Sequence, residues 1–390
     1  MNSRVFSARW IFPVDQPPIP HGMITVADGV IVDLSPAGRR SADVDFGNAA
    51  ILPGFVNAHT HLDLSDAAGL IPPTTDFTGW LRRVIEHRRK QSDDDVERAI
   101  ATGIAQLVHS GTTLVGDISA QGASFAHLAL VPLDAVVFHE VLGLSEARAE
   151  QTLRQAREFV GTCRSPRIVA GLSPHAPYSV RPSLFRAAAD SSLPVAIHLA
   201  ETLDEIRLLD RREGPFVDFL EELGIWNPDA LASGLNEILD LWRSRSPGPL
   251  FIHGNYLDSN IDIPGSVIYC PRTHAAFGHR PHPFRELLAR GVNVALGTDS
   301  LASNPDLDIL EEACFLRRIR PETPGDLLLR MLTLNGAIAL NRADDHGSLT
   351  PGKTATFVVL PLRNRESHDP HDLVFESSPL APREVCANPP

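Results

Sequence analysis

Residues 52–65 read LPGFVNAHTHLDLS, an apolar stretch that runs into two histidines, His59 and His61. The apolar run and the polar residues that end it are typical of a short buried β-strand. Side chains two residues apart on an extended chain point to the same side, so both imidazoles can bind one metal ion. A histidine pair alone is a weak signal, and two incidental histidines remain the alternative reading of this stretch taken by itself.

The same pattern recurs along the chain, where short apolar runs end in polar residues and are followed by helical stretches. Alternation of this kind indicates repeated βα units with parallel strands. Eight runs fit it, at residues 51–58, 112–117, 135–141, 168–173, 194–198, 250–253, 266–270 and 293–299. Eight parallel strands close into a barrel that carries its chemistry at the carboxyl ends of the strands. The predicted fold class is therefore α/β, a TIM-type (β/α)8 barrel over residues 51–345.

Both ends of the chain are predicted to form a smaller β domain. Residues 1–50 contain short alternating runs between Pro, Gly and Asp turns, at 5–11, 23–27 and 30–34. Residues 347–361 (GSLTPGKTATFVVLP) return to turn-and-strand character. We therefore predict one composite β-sandwich from residues 1–50 and 346–390. The segment 202–249 is longer than one helix needs, and we expect extra helices there, over the barrel.

The composition excludes several classes of partner. The 390-residue chain has 35 basic and 48 acidic residues, a net charge of −13, and no long run of Lys or Arg. The sequence therefore offers no footprint for nucleic acid or for an anionic membrane, and a small molecule is the expected partner. A hydrophobic fraction of 43% is sufficient for a large globular core. A homo-oligomer is compatible with the sequence but is not predicted by it.

The cysteines and the first residues suggest a location. The four cysteines are scattered and form no CxxC pair; they are Cys163, Cys270, Cys314 and Cys386. Such spacing indicates free thiols in a reducing compartment, so we expect a cytoplasmic protein. Pro13 and Asp15 interrupt any apolar segment near the start, and we expect neither a targeting signal nor a membrane span.

Polar residues end three further runs. His198, His253 and Asp299 each stand at the end of an apolar run, and Glu201 follows His198 by three residues. A polar group that ends a buried strand needs a partner, and a metal ion supplies one. An aspartate there must be neutralised by a cation or by a cluster of hydrogen bonds. A satisfied core histidine remains the alternative for His198, and an ordinary barrel-mouth histidine for His253.

The motif LPGFVNAHTHLDLS closely resembles the first-strand motif of the amidohydrolase superfamily. Further motifs resemble the deaminase and chlorohydrolase branch of that superfamily; they are SPHAPY, HLAE, IHG, GTDS and GSLTPGK, at residues 173–178, 198–201, 252–254, 297–300 and 347–353. Together they extend over nearly the whole chain and are highly specific. Two departures occur: Thr356 replaces the acidic residue usual after GKxA, and the tail ends in PREVCANPP rather than in a full closing strand.

The resemblance implies a role for each polar strand end. His59, His61, His198 and Asp299 are implied as ligands of one divalent metal. Asp299 would also accept a proton from water, Glu201 would act as proton shuttle, and His253 would orient the water or a substrate oxygen. A mixed set of imidazoles and a carboxylate leaves a position open for water, as catalytic zinc requires, and iron(II) fits nearly as well.

Lysine content bears on the number of metal ions. Superfamily members with two metals usually bridge them through a carboxylated lysine in the barrel. This chain has only Lys90, in the polar helical stretch HRRKQSDDD, and Lys353, in the predicted β domain. Neither is placed to bridge two ions, so a mononuclear site is predicted.

The resemblance also suggests residues that contact a substrate. His175 lies between two prolines in SPHAPY, which is similar to the substrate-contacting segment of nucleoside and purine-type deaminases; a rigid loop histidine is the alternative. Five residues fall in loops that we expect at the barrel mouth, namely Trp80, Glu140, Arg272, His274 and Ser303. Each alone is compatible with a structural role, and together they line the predicted mouth. We expect His279 and His282 to be loop residues only.

The reaction implied by this resemblance is hydrolytic deamination. A metal makes hydroxide available near neutral pH, and attack on an amino-bearing ring carbon needs an acid for the ring nitrogen. Glu201 would be that acid, and ammonia would leave. The stretches FTGWLRRV and TDSLASNPDLDILEEA, residues 77–84 and 298–313, look most like those of aminofutalosine deaminases. Adenosine or S-adenosylhomocysteine deaminases and guanine or cytosine deaminases resemble them less. The expected substrate is an adenine-type nucleoside.

Two other functions compete with this one. A chlorohydrolase acting on a chloro-heterocycle can use the same scaffold. A metal-bound binding protein without turnover is a rival from another class, and the presence of Glu201 and Asp299 argues against it because a binder needs no proton relay. Zinc deaminases with an H-x-E and P-C-x-x-C signature are excluded, because the chain has no PCxxC.

Overall fold

The computed structural model describes residues 3–36, 41–376 and 384–387, and for the last range only the backbone. The predicted thiol of Cys386 therefore lies outside the described side chains. Cys163 and Cys270 are free thiols, as predicted for them. The buried Cys314 donates from its thiol to the carbonyl of Phe375 over 3.5 Å.

The described residues form seventeen strands. They are β1 (Ser3–Ser7), β2 (Trp10–Ile11), β3 (Ile19–Pro20), β4 (Gly22–Ala27), β5 (Val30–Pro36), β6 (Val44–Asp45), β7 (Ala49–Pro53), β8 (Phe55–Thr60), β9 (Thr112–Ser119), β10 (Asp134–Val141), β11 (Ile168–Pro174), β12 (Ala196–Leu199), β13 (Leu250–His253), β14 (Ser266–Tyr269), β15 (Val294–Leu296), β16 (Thr356–Pro361) and β17 (Glu384–Ala387).

Fourteen α-helices and three short 3-10 helices connect them in the same ranges. The α-helices are α1 (Phe77–Lys90), α2 (Asp93–His109), α3 (Ser124–Leu128), α4 (Glu146–Thr162), α5 (Pro182–Ala189), α6 (Leu203–Arg211), α7 (Pro215–Glu222), α8 (Leu235–Asp240), α9 (Pro271–Ala276), α10 (Phe284–Ala289), α11 (Ile309–Ile319), α12 (Gly325–Leu332), α13 (Leu334–Ala339) and α14 (Pro370–Phe375). Within the described chain, no helix is both long enough and apolar enough to cross a bilayer.

Eight of the strands form two parallel sheets, with the orders β8-β9-β10-β11 and β12-β13-β14-β15. A single bridge between Leu172 and Val195 joins β11 to the chain entering β12. At the other seam, the amide of Thr298 donates to the carbonyl of His59 over 3.1 Å. Because all eight strands are parallel, their carboxyl ends lie at one edge, and the α/β class predicted from the sequence is confirmed.

The remaining strands form two smaller sheets, with the orders β5-β4-β1-β6 and β17-β16-β7-β2-β3. Both chain ends contribute to the second of these, since β16 pairs with β7 in antiparallel register. The tail adds the four-residue strand β17 against β16. The ending PREVCANPP, which sequence reasoning did not interpret as a full closing strand, thus does supply a short one.

The first predicted barrel strand, at residues 51–58, needs correction. Ala49–Pro53 is a separate strand of the small sheet, and the parallel strand starts only at Phe55. Pro53 has no amide hydrogen to donate, and Gly54 lies so close to Thr113 that any side chain there would clash. The two strands were merged because both are fully buried, so the apolar pattern continues through the break.

The segment 202–249 carries extra helices, as expected. It contains α6, α7 and α8 and a 3-10 turn at Pro228–Ala230. Phe216, Phe219 and Leu220 of α7 are buried in one apolar cluster with Phe77 and Trp80 of α1. The segment therefore packs against the helix that follows the first parallel strand.

A buried carboxylate fixes the loop after β8. Asp117 of β9 accepts hydrogen bonds from the backbone amide of Leu62, over 2.9 Å, and from the hydroxyl of Ser124. Leu62 directly follows His61, so this carboxylate sets the path of the chain behind a predicted metal ligand. Burial raises the pKa of Asp117 to about 7, and the two hydrogen bonds and Arg88 only partly offset this.

We predict that Asp117→Asn removes a pH-dependent loss of stability. The folded state keeps the Asp117 proton up to about pH 7, whereas the unfolded chain loses it near its ordinary pKa of 3.8. The free energy of unfolding therefore falls as pH rises through this window, by up to about 1.4 kcal/mol per pH unit. Asparagine is uncharged and retains a carbonyl for Leu62. The free energy of unfolding of the variant, measured relative to that of the wild type, should therefore rise by about 2 to 4 kcal/mol between pH 4 and pH 7.5.

Urea unfolding at these two pH values and equal metal loading measures this difference. Asp94→Asn, at an exposed carboxylate of α2, is the matched control. An equal change in the Asp117 and Asp94 variants would contradict the prediction.

Candidate active site

Three histidines converge where β8 and β12 end. These residues are His59, His61 and His198. Each offers one ring nitrogen, and the three nitrogens lie within 4.8 Å of one another. The closest approach is 3.3 Å, between Nε2 of His61 and Nε2 of His198. All three side chains are buried. The structure thus brings together three of the four predicted metal ligands.

Asp299 joins this group from the end of β15. Its Oδ1 lies 3.5 Å from Nε2 of His59 and 3.8 Å from Nε2 of His61. His59, His253 and Asp299 form a second group whose ligand atoms lie within 4.8 Å of one another. Burial opposes ionisation of Asp299, but His59, His253 and His61 hold its pKa below the ordinary value.

The chemistry of this donor set fits a divalent cation. Among the described residues, both ring nitrogens of His59 and Nδ1 of His61 are buried without a hydrogen-bond partner. At 3.5 Å, Nε2 of His59 is too far from Asp299 for a normal hydrogen bond. Burial and the neighbouring His59 lower the pKa of His61 to about 3, so its ring is neutral and offers a lone pair. Buried polar atoms without partners are costly, and a cation would satisfy them.

A left-handed residue that is not glycine lies at or shortly after the end of each of three site strands, β12, β13 and β15. The φ angles are 52° at Ala200, 67° at His253 and 60° at Asp299. Each such residue costs on the order of 1–3 kcal/mol unless its surroundings hold it in place. For Asp299, the hydroxyls of Thr60 and Thr298 both donate to its carbonyl, each over 3.1 Å. The backbone that aims the carboxylate is therefore held by two buried side chains.

The carbonyl of His253 is held by a residue that sequence reasoning dismissed. Nε2 of His282 donates to that carbonyl over 2.7 Å, and the His282 ring stacks on Tyr269 with centroids 3.9 Å apart. We expected His282 to be a loop residue only. The motif HRPHP gave no signal of this contact, because it depends on the fold bringing the loop back to β13.

Glu201 lies beside His253, with Oε1 at 3.3 Å from Nε2 of the imidazole. Burial is the largest of the effects that raise the pKa of Glu201 well above its ordinary value, and Asp299 and Glu205 add to it. Burial also lowers the pKa of His253, to about 3. The pair therefore combines a carboxyl group that can hold a proton near neutral pH with a neutral imidazole.

Glu205 positions the backbone of Glu201. It is fully buried, and its two carboxylate oxygens accept hydrogen bonds from the amides of Ala200, over 2.9 Å, and Glu201, over 3.0 Å. Thr202 caps α6 by accepting from the amide of Glu205. We did not select Glu205 from the sequence, although Thr202-x-x-Glu205 is the signature of a helix capping box and was visible.

A second polar group lies next to the ligands. Arg88 pairs with Asp63 over 3.0 Å and with Glu140 over 3.2 Å, and Glu140 lies 3.9 Å from Nε2 of His175. The structure thus brings the predicted residues His175 and Glu140 together. Arg88 and Asp63 were missed, because the run HRRK reads as a solvated helix face. The spacing of four from Trp80 through Val84 to Arg88 was the available signal, since it places all three on one face of α1.

Trp80 and Ser303 support the site in different ways. Nε1 of Trp80 donates to the carbonyls of Ile71 and Ala302, at 3.1 and 3.3 Å, while its ring lines the cavity at the ligands. The hydroxyl of Ser303 donates to Oδ2 of Asp299 over 2.7 Å. Ser303 therefore contacts a predicted ligand and not the cavity.

Arg272 and His274, which we expected at the substrate, do not line the cavities at the ligands. Arg272 pairs with Asp306 over 2.8 Å and with the buried Glu312 over 2.6 Å. Nε2 of His274 donates a hydrogen bond to the carbonyl of Arg280 over 2.8 Å. The buried carboxylate of Glu312 needs a cation, and the Arg272 guanidinium supplies it. This ion pair holds the loop after β14 in place.

Neither lysine reaches the ligand cluster. Lys90 is exposed and pairs with Glu86 on α1. Nζ of Lys353 donates to the carbonyls of Ala343 and His346, near the small sheets. These positions agree with the argument for a single metal ion.

Two adjoining chambers open at the site. The inner chamber, of about 70 Å³, is lined by His61, His198, His253, Glu201 and Asp299 among others. The outer chamber, of about 460 Å³, extends between α1 and α7. Both share six lining residues, namely Leu81, Val84, Arg88, Glu140, His175 and Tyr178.

Comparison with known proteins defines the class. Residues 50–381 match the amidohydrolase family. A 5'-deoxyadenosine deaminase of Methanothermobacter thermautotrophicus is 30% identical over 90% of this chain and 85% of its own length. A 5-methylthioadenosine/S-adenosylhomocysteine deaminase of Syntrophobacter fumaroxidans is 29% identical over 88% of this chain and 80% of its own. The Helicobacter pylori aminofutalosine deaminase, solved with methylthio-coformycin, superposes with a TM-score of 0.86 at 23% identity, covering 99% of this chain and 98% of that one.

The chain therefore belongs to the amidohydrolase family. Membership agrees with the resemblance found in the sequence motifs. It makes the protein a hydrolase that acts on carbon–nitrogen bonds.

We predict one tightly bound divalent metal per chain, held by His59, His61, His198 and Asp299. Elemental analysis of metal-replete protein should give a ratio of one. His198→Gln should weaken metal binding at least about 10-fold, the lower end of what the loss of even a supporting group costs. The exposed His109→Gln is the control. Two tightly bound ions per chain, or unchanged affinity in the His198 variant, would contradict this ligand set.

Proposed function

We propose that this protein is a metal-dependent hydrolytic deaminase of an adenine-type nucleoside, which converts a ring amino group to a carbonyl and releases ammonia. The observation that carries the proposal is the buried pair of Glu201 and His253, 3.3 Å apart, beside the cluster of histidines and Asp299. The names of the similar deaminases point to the same substrate class.

The metal we propose is zinc, with iron(II) as the other ion that suits these ligands. His59, His61, His198 and Asp299 would hold it. When bound, such an ion supplies an ionised water at neutral pH. The neutral, buried imidazole of His61 is in the form that binds a metal.

The proton transfers fall to residues of the chain. Glu201 gives its proton to the ring nitrogen of an N=C–NH₂ unit, which makes the adjacent carbon electrophilic. Asp299 takes a proton from the attacking water, and His253 orients the oxygen. Asp299 then passes its proton to the amine, the carbon–nitrogen bond breaks and ammonia departs. The added hydroxyl returns its proton to Glu201 and becomes the carbonyl. A positioned acid or base of this kind typically contributes about 10² to 10⁴ in rate.

Arg88, Glu140 and His175 form a belt of polar side chains, and this belt favours a substrate with a sugar next to the reacting ring. These residues lie where the inner chamber meets the outer one. Carboxylate, guanidinium and imidazole groups bind hydroxyls well, and a ribose presents two of them. The belt would hold the sugar while the ring reaches the ligand cluster.

We also propose that the two parallel sheets form one closed (β/α)8 barrel, with the small sheets as a composite β domain. The hydrogen bonds at both seams support closure. So does one buried apolar cluster with side chains from seven of the eight strands. The eighth, β11, contributes Gly171, where the Phe138 ring leaves no room for a side chain. The proposal of a cytoplasmic location rests on the free thiols of Cys163 and Cys270.

The proposal predicts ammonia release from adenine nucleosides. Metal-replete enzyme should deaminate at least one of adenosine, 5'-deoxyadenosine and 5'-methylthioadenosine. Glu201→Gln should keep the metal and the fold and lose about 10² to 10⁴ in kcat. The exposed Glu221→Gln is the matched control.

Three results would overturn parts of this assignment. Release of chloride from a chloro-heterocycle without any ammonia would make the protein a chlorohydrolase. Tight nucleoside binding without turnover would make it a binding protein. Normal kcat in the Glu201 variant would remove this residue from the mechanism.

A further prediction concerns Glu205 as a positioning residue. Glu205→Gln keeps the shape but turns one acceptor into a donor facing a backbone amide, so Glu201 should shift. We expect kcat to fall at least about 10-fold, as small misplacements of catalytic groups do, with KM and metal content nearly unchanged. Glu205→Asp should restore little, because it is one methylene too short. An equal loss of metal would show that Glu205 acts on the fold and not on Glu201.

A further inference from the structure

The outer chamber lies beyond the residues that the proposed chemistry uses. Pockets that hold small organic ligands typically measure about 300–1,000 Å³. The inner chamber of about 70 Å³ is far below this range, while the outer one of about 460 Å³ lies within it. A substrate whose reacting end reaches the ligand cluster must therefore place much of the rest of its volume in the outer chamber.

Apolar side chains dominate the walls of the outer chamber. Those that are not shared with the inner chamber come from three parts of the chain; six of them are Ile85, Leu142, Leu144, Phe219, Leu223 and Ile225. Phe219 and Leu144 are buried, while Ile225, at the outer edge, is 42% exposed. α7 and the turn after it supply three of the six, so the segment 202–249 builds one wall.

The charges at the chamber are already matched or lie at its edge. Glu140, the single carboxylate of the lining, is paired with Arg88, which is also paired with Asp63. Arg148 is exposed at the rim and donates to Gln151. The carboxylate of an amino-acid substituent could pair with Arg148, but an ion pair in solvent at the rim contributes little. Its ammonium group would find no unpaired carboxylate among the lining residues. Burying such a group without a partner is strongly unfavourable.

We propose that the outer chamber is a subsite for an uncharged, hydrophobic substituent at the 5' position of the nucleoside, and that α7 makes the enzyme select against zwitterionic amino-acid substituents there. This inference rests on the proposed function. It assigns a specificity role to the segment 202–249, whose residues take no part in the chemistry apart from Glu205. Alkylthio or arylthio groups are the class of substituent that these walls fit.

A series of 5'-alkylthio-adenosines tests the subsite. Methyl, ethyl, propyl and butyl members are compared with adenosine and with S-adenosylhomocysteine by their kcat/KM. Each buried methylene should raise kcat/KM about fourfold until the chamber is full. S-Adenosylhomocysteine should fall at least about 10-fold below the butyl compound, which has a similar length. A flat series, or a preference for S-adenosylhomocysteine, would overturn the proposal.

Two substitutions place a carboxylate in the wall. Leu223→Asp and Ile225→Asp lie at a half-buried and an exposed position, so at least the second leaves the fold intact. Each should lower kcat/KM for the butyl compound at least about 10-fold and leave adenosine within about twofold. Glu221→Gln, on the solvent side of α7, should change neither. Equal losses for both substrates in Ile225→Asp would contradict a role in selectivity.

Failure of the proposed function can be told apart from failure of the subsite. If no adenine nucleoside releases ammonia, titration calorimetry of the same series with the metal-loaded Glu201→Gln protein replaces the kinetic test. Affinity that rises with alkyl length still supports the hydrophobic subsite. Affinity that is independent of length, or highest for S-adenosylhomocysteine, overturns it.

Discussion

The unpartnered lone pairs of buried imidazoles are the constraint on which the rest of the structure depends. His59 and His61 have ring nitrogens that no other described residue satisfies, and Asp299 brings a negative charge into the same space. Such an arrangement is unfavourable until a cation occupies it. The fold therefore has to hold these donors in place before a metal arrives, and parallel strands do so because they end at one edge.

Holding the donors requires strained backbone. Ala200, His253 and Asp299 all adopt left-handed φ at or shortly after the end of a strand, where the chain turns at the cavity. Buried side chains secure each turn: Glu205 for the first, His282 for the second and a pair of threonines for the third. Glu205 also affects Glu201, the acid of the proposed reaction. The carboxylate that fixes the Glu201 backbone carries a charge that helps raise the Glu201 pKa. One carboxylate thus positions the acid and adds to a rise in its pKa whose largest cause is burial.

Sequence reasoning found what depends on local pattern and missed what depends on distant contacts. The histidines and Asp299 stand at strand ends, so period and polarity marked them as candidates and the family resemblance assigned their roles. The α/β class followed from the same runs. Ile51–Pro53 was assigned to the wrong sheet because two buried strands read as one. Arg272 was expected at the substrate because its loop falls at the predicted barrel mouth. Its partners Asp306 and Glu312 are distant in sequence, so no local pattern indicated them. Arg88 and Glu205 had local signals, a helix face and a capping box, but their partners are set by the fold.

The proposed chemistry and the proposed selectivity lie in different parts of the chain. The ligands and the Glu201–His253 pair follow the parallel strands, where any change disturbs a strained and buried backbone. The walls of the outer chamber come largely from loops and from α7, which packs on α1 through Phe216 and Phe77 at ring centroids 6.2 Å apart. Half-buried positions such as Leu223 tolerate substitution far better than fully buried ones do. A family with this division can therefore change the substituent it accepts while its strand ends, and the reaction they support, stay the same.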